Sequence, residues 1–125
     1  MSIDIHKSVS EFCLAMEARL VESEHKTGWH QETLPTLLDQ LLGEIRDVFD
    51  CIERTDDLSV VQNEILDVAN FCMKAHEQIE QVKRYTKLAD EAWLLDDFVK
   101  AGIYSRKANK IIGQGTRSNT STDPG

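Results

Sequence analysis

Apolar residues recur along most of this chain at intervals of three and four, the period of a helix rather than the period of two of a strand. Val9, Phe12, Cys13, Met16 and Leu20 define a first amphipathic stretch, which a cap at Ser8 or Ser10 would open and which fades near Glu24. Thr33 followed by Pro35 reads as the start of a second helix, because proline is tolerated in a first turn. Its stripe is Leu37, Leu41, Ile45, Val48 and Ile52, and it runs to about Arg54. TDDLS (55–59) is a short connector with Asp56 or Asp57 as a cap. A third helix with the stripe Val61, Ile65, Val68, Cys72 and Ile79 extends to near Lys83. A fourth spans about Asp90 to Ile112, with Trp93, Leu94, Phe98 and Ile103 on its apolar side and Gly102 as a point of bending or division. So short a connector makes the second and third helices antiparallel neighbours. The expected fold is all-α: an antiparallel bundle of about four helices, one domain over 1–112. The tail 113–125, GQGTRSNTSTDPG, is nearly free of apolar residues and is expected to be disordered.

Composition adds two constraints. A chain of 125 residues has room for one core, and 41% hydrophobic content is slightly lean for a self-sufficient globule. Helices with wide apolar faces need another layer, so a homodimer or homotetramer that completes the core is expected. The net charge of −8 argues against nucleic acid as the main partner. The charge is uneven: Lys100, Arg106, Lys107, Lys110 and Arg117 against Asp123 make 100–125 a +4 segment, leaving −12 on 1–99. The cysteines, Cys13, Cys51 and Cys72, form no C-x-x-C pair and fall on or near apolar stripes. Buried free thiols in a reducing cytoplasm are expected. No apolar run approaches 18 residues and no basic-then-apolar leader occurs, so a membrane span is not expected and the expected location is cytoplasmic.

The acids carry the candidate chemistry. Glu44 and Asp47 lie three apart on the second helix, and Glu64 and Asp67 lie three apart on the third. Residues at that spacing share a helix face, roughly 5 Å apart. Both pairs flank their apolar stripes on the same rotational side, so antiparallel packing can bring four carboxylates to one point. Each close pair there costs about 4 kcal/mol at an effective dielectric near 20. Protons or a cation must relieve that repulsion, and hard oxygen ligands favour Mg²⁺ or Mn²⁺. Solvated boundary acids are the plain alternative for any one such pair.

Upstream, HKTGWHQE (25–32) contains a helix-breaking Gly28. His25 and Lys26 stand beside Trp29 and His30. A lysine and a tryptophan around a glycine can hold a phosphate and stack a base. The same residues also suit a plain connection in which Trp29 covers the core.

These residues together resemble the all-α nucleoside triphosphate pyrophosphohydrolases of the MazG-like superfamily, especially the short phage-type members. That family carries E-x-x-E, a spacer, then E-x-x-D on two helices. The counterparts here are Glu44-Ile-Arg-Asp47 and Glu64-Ile-Leu-Asp67, with EILDVANF (64–71) similar to the second motif including Asn70. His25-Lys26-Thr27-Gly28-Trp29 is similar to the H-K-G-G-W loop of the phage type, and the likeness covers roughly residues 10–80. Asp47 departs from the pattern: it stands where the family usually has the longer Glu. The resemblance implies a Mg²⁺-dependent hydrolase (Mn²⁺ as a substitute) that converts an NTP or dNTP to the monophosphate and pyrophosphate. Glu44, Asp47, Glu64 and Asp67 would be the metal-binding and catalytic residues. Lys26 and His25 would meet the phosphates, Trp29 the base, and Asn70 the sugar or base. Phosphoribosyl-ATP pyrophosphohydrolase is an alternative within the superfamily.

Other classes fit less well. A di-iron carboxylate bundle needs two Glu-x-x-His elements, and only Glu22 with His25 supplies one. Structural zinc lacks paired Cys or His ligands. The strongest competitor is a non-catalytic helical bundle that binds a partner protein or a nucleotide without hydrolysing it.

Overall fold

A computed structural model describes residues 4–23 and 32–113. Among these the chain is an all-α helical bundle: α1 (Ile5–Ser23), α2 (Leu34–Arg54), α3 (Leu58–Leu94) and α4 (Phe98–Ile112), with no strand. The loop residues His25, Lys26, Trp29 and His30, and the tail beyond Gly113, lie outside the described residues.

Local capping explains each helix start. Asp4 opens α1 by accepting from the Lys7 N–H at 3.1 Å, one turn before the serines expected to do so. Thr33 Oγ1 accepts from Thr36 N at 3.3 Å and opens α2, with Pro35 in the first turn. Asp57 Oδ1 accepts from Ser59 N at 3.0 Å and opens α3, as the connector predicted.

The α3–α4 boundary differs from expectation. α3 does not stop near Lys83 but runs to Leu94, so Trp93 and Leu94 belong to it and not to the fourth helix. The break falls at 95–97, and α4 passes through Gly102 without interruption. Asp96 takes a left-handed backbone, φ 58°, which aspartate tolerates better than most residues. Asp97 then caps α4 by accepting from Lys100 N at 3.1 Å. Two consecutive aspartates make the turn, later than the Lys83–Asp90 interval where the apolar pattern places the break. Gly113, at φ 87°, closes α4, its N–H shared between the Asn109 and Lys110 carbonyls.

The chain clusters into two compact units, and the boundary between them crosses α2 and α3. One unit comprises Gly28–Leu38 and Lys74–Gly125. Among the described residues it holds every buried apolar side chain: Leu37, Ala75, Ala89, Ala92, Ala101 and Ala108. Alanines at these positions let the backbones of α3 and α4 approach closely. The two helices run antiparallel, with Trp93 on Phe98 (ring centroids 4.9 Å apart) and Tyr85 stacked near Tyr104 (6.3 Å). The Lys107 ammonium lies 5.5 Å from the Tyr85 ring centre, a cation–π contact. Gln78 Nε2 donates to the Glu32 carbonyl at 2.7 Å, tying the segment before α2 to α3.

The other unit comprises Met1–Thr27 and Asp39–Met73. Among its described residues only Asn70 is buried, and no apolar side chain is. Ile45, Val48 and Phe49 of α2 and Ile65 and Val68 of α3 line an open apolar groove of about 240 Å³. Phe49, on its wall, is 66% exposed. The cysteines follow this pattern and correct the expectation of burial: Cys13 and Cys72 are exposed and Cys51 half-buried, all three as free thiols. They lie on stripes that a single copy of the chain does not cover. No described helix is long and apolar enough to cross a membrane.

Candidate metal centre

The site lies within the second of these units. The 55–57 connector turns the chain back, so the α2 and α3 segments run antiparallel and face each other across the apolar groove. The acids on the shared edge then converge. Glu44, Asp47 and Glu64 each offer one carboxylate oxygen, and these oxygens lie within 4.8 Å of one another. Asp47, although one methylene shorter than Glu, reaches the group.

The donor set fits a hard divalent ion. Around Mg²⁺ at 2.0–2.1 Å, ligand oxygens stand about 3.0 Å apart when adjacent and about 4.2 Å apart when opposite. A spread of up to 4.8 Å closes to that range by small side-chain rotations. Glu44 and Glu64 are half-buried while Asp47 is exposed, so the group opens on one side to solvent.

Electrostatics ties the fourth acid to the other three. The Glu44 carboxyl is held above its ordinary value of 4.5, first by burial and then by the negative charges of Asp67, Asp47 and Glu64. Arg19 opposes that rise. Asp67 therefore acts on Glu44 more strongly than Asp47 or Glu64 does. A carboxyl with a raised folded-state pKa contributes stability below its unfolded value, and that contribution is lost as pH rises through the folded value. The metal-free chain should accordingly gain stability from Glu44 on acidification toward pH 4.5. Melting curves across pH should show Glu44→Gln more stable than the parent above this window and equal to it below. A parent at least as stable as the variant at neutral pH would contradict the repulsion.

Asp67 itself points elsewhere. Arg19 of α1 grips it with a two-pronged contact, Nε to Oδ1 at 2.8 Å and Nη2 to Oδ2 at 3.0 Å. The remaining guanidinium nitrogen, Nη1, stands 3.6 Å from Glu22 Oε1. The Asp67 charge raises the already high Arg19 pKa further, through the hydrogen bond first. Asn70 is likewise engaged: buried on α3, its Nδ2 donates to the Met16 carbonyl of α1 at 3.2 Å. Moving three positions forward on α1 moves three back on α3, so these two helices are also antiparallel.

Of the eight residues expected at the site, three acids are brought together. Asp67 stands beside them with its oxygens on Arg19, and Asn70 binds the backbone of α1. His25, Lys26 and Trp29 lie outside the described residues. Arg19 was not anticipated. Its signal in the sequence is faint: it follows Met16 by three on the flank of the α1 stripe, a cation where a boundary residue should be indifferent.

No family model, no curated protein and no solved structure matches this chain.

Proposed function

We propose that this protein is a Mg²⁺-dependent nucleoside triphosphate pyrophosphohydrolase. The observation that carries the proposal is the convergence of Glu44, Asp47 and Glu64 from two antiparallel helices onto one partly open point. Carboxylates so placed repel one another unless a cation joins them, and a triphosphate is a ligand that such a cation attracts. The motif resemblance of Glu44–Asp47 and Glu64–Phe71 supplies the reaction.

In that reaction a water oxygen bonds to the α-phosphorus, the bond to the α–β bridging oxygen breaks, and pyrophosphate leaves with the electron pair. Bound Mg²⁺ supplies charge neutralisation at the phosphate oxygens and a lower pKa for a coordinated water. Glu44, Asp47 and Glu64 would hold it, with Asp67 as a fourth ligand. A carboxylate of this set takes the proton of the attacking water. Lys26 and His25 offer cations to the phosphates, and Trp29 offers a face to the base.

The functional form is a homodimer or homotetramer. The apolar groove between α2 and α3 and the exposed Phe49 support this, because a second helical layer there would complete a core that one copy lacks.

A panel of the eight common ribo- and deoxyribonucleoside triphosphates with Mg²⁺, scored for pyrophosphate and monophosphate, tests the activity. At least one nucleotide should yield both products in equal amounts, and chelation should stop their release. Absence of both products throughout would reject the hydrolase reading. One observation favours a second reading, a bundle that binds a nucleotide or a partner without turnover: Asp67 and Asn70 are both engaged with α1. Binding without products in the same panel would select it.

A further inference from the structure

A cation of the protein itself, Arg19, stands beside the acidic group and lowers the Glu44 pKa against the neighbouring acids. Both oxygens of Asp67 are taken up by the Arg19 fork, at 2.8 and 3.0 Å. The two side chains are largely shielded, 20% and 18% exposed, so solvent and salt weaken the contact less than they would on an open surface. Charge-assisted forks of this kind are among the stronger side-chain contacts. The lone pairs aimed at Arg19 are not aimed at Glu44, Asp47 and Glu64.

The contact also does much to position α1. The apolar stripe of that helix is poorly covered: Val9 and Phe12 are exposed, and only Met16 and Leu20 are half-buried. The Arg19–Asp67 fork and the Asn70–Met16 hydrogen bond are polar contacts between α1 and α3. A helix held by few apolar contacts is released easily when one of its polar anchors is lost.

We propose that Arg19 is an internal latch on the metal centre: it holds Asp67 in the metal-free chain, and a divalent cation takes Asp67 only by displacing the guanidinium and loosening α1. The proposal rests on the metal reading above and adds to it a residue and a direction of coupling. Ion binding and α1 docking oppose each other, and by linkage each weakens the other by the same factor.

Removing the Arg19 charge would favour any nearby cation, latch or not, so the informative substitution keeps the charge and removes the fork. Lysine is a point charge and cannot hold both oxygens in the same plane. Arg19→Lys should bind Mn²⁺ more tightly than the parent, on the order of tenfold by calorimetry or by the spin signal of free Mn²⁺, as opposed sites of ordinary coupling strength require. Arg19→Gln should bind at least as tightly as Arg19→Lys. Hydrogen exchange on the parent, which needs no variant to fold, should show amides of 5–23 losing protection when Mn²⁺ alone is added. Equal or weaker Mn²⁺ binding by Arg19→Lys, or α1 protection that holds or rises with Mn²⁺ in the parent, would overturn the latch while leaving the metal site standing. Failure of the parent and both variants to bind Mn²⁺ would instead remove the metal site, and the latch with it.

Discussion

Glu64→Gln should lose Mg²⁺-dependent pyrophosphate release by at least about 100-fold without losing the fold. The factor follows from what the residue is asked to do. Outer neighbours of metal ligands are typically worth 10–100-fold in affinity or activity, and a direct ligand exceeds that. Glutamine keeps the shape of the side chain and one carbonyl oxygen but removes the charge. Among the three converging acids, Glu64 is the one that α3 supplies. Its loss leaves Glu44 and Asp47 on α2, with only the Arg19-held Asp67 across the cleft to complete the group. Stability should move the other way. Glu44 is held above its ordinary pKa partly by the Glu64 charge, so neutralising Glu64 relieves repulsion in the metal-free chain. The expected signature is a melting temperature equal to or above the parent's without metal, together with a lost thermal shift on adding Mg²⁺. Full activity in this variant would remove the site assignment. Lost activity with a collapsed fold would point to a structural role for Glu64 instead.

Phe49→Asp should separate the subunits. Phe49 is two-thirds exposed in a single copy and walls the groove with Ile45, Val48, Ile65 and Val68. If a second copy covers that groove, an aspartate there is a charge buried without a partner. Large aromatic anchors at the centre of an interface are commonly worth 2 kcal/mol or more, about a 30-fold rise in the dissociation constant. Light scattering at micromolar concentration should then report a smaller species than the parent, and the melting temperature should cease to depend on protein concentration. On a surface that stays open to water, the same substitution would change stability by no more than about 0.5 kcal/mol and leave the mass unchanged. The two outcomes are far enough apart for one experiment to decide.

Helix content was legible because its cause is local. The three-and-four spacing of apolar residues, Pro35 in a first turn and the TDDLS connector each act within a few residues, and α2 begins and ends within a residue or two of where they place it. The α3–α4 corner falls at 95–97 rather than between Lys83 and Asp90, because what breaks the helix there is neither a glycine nor a proline. Gly102 sits inside α4 with its added Cβ position meeting only the Arg106 side chain, at 3.5 Å, and has no reason to bend the helix. Asp96 and Asp97 make the corner through a left-handed residue and a cap, a device that looks in sequence like two more surface acids. Cys13, Cys51 and Cys72 fall on or near apolar stripes without being buried, because periodicity states only which residues share a face. Whether that face is covered depends on what lies opposite.

The acids divide along the same line. An i,i+3 spacing on two helices with a short connector is enough to put Glu44, Asp47 and Glu64 on one edge, since helix pitch and antiparallel packing leave little freedom. Nothing in that geometry distinguishes Asp67 from Glu64. The distinction comes from α1, whose Arg19 stands 48 positions away along the chain and reaches Asp67 only when α1 packs against α3. Local spacing decided which side chains share a helix face. Long-range packing alone decided which of them meet one another and which meets a cation of the chain's own, because an ion pair depends on distance in space and leaves no period in the order of residues.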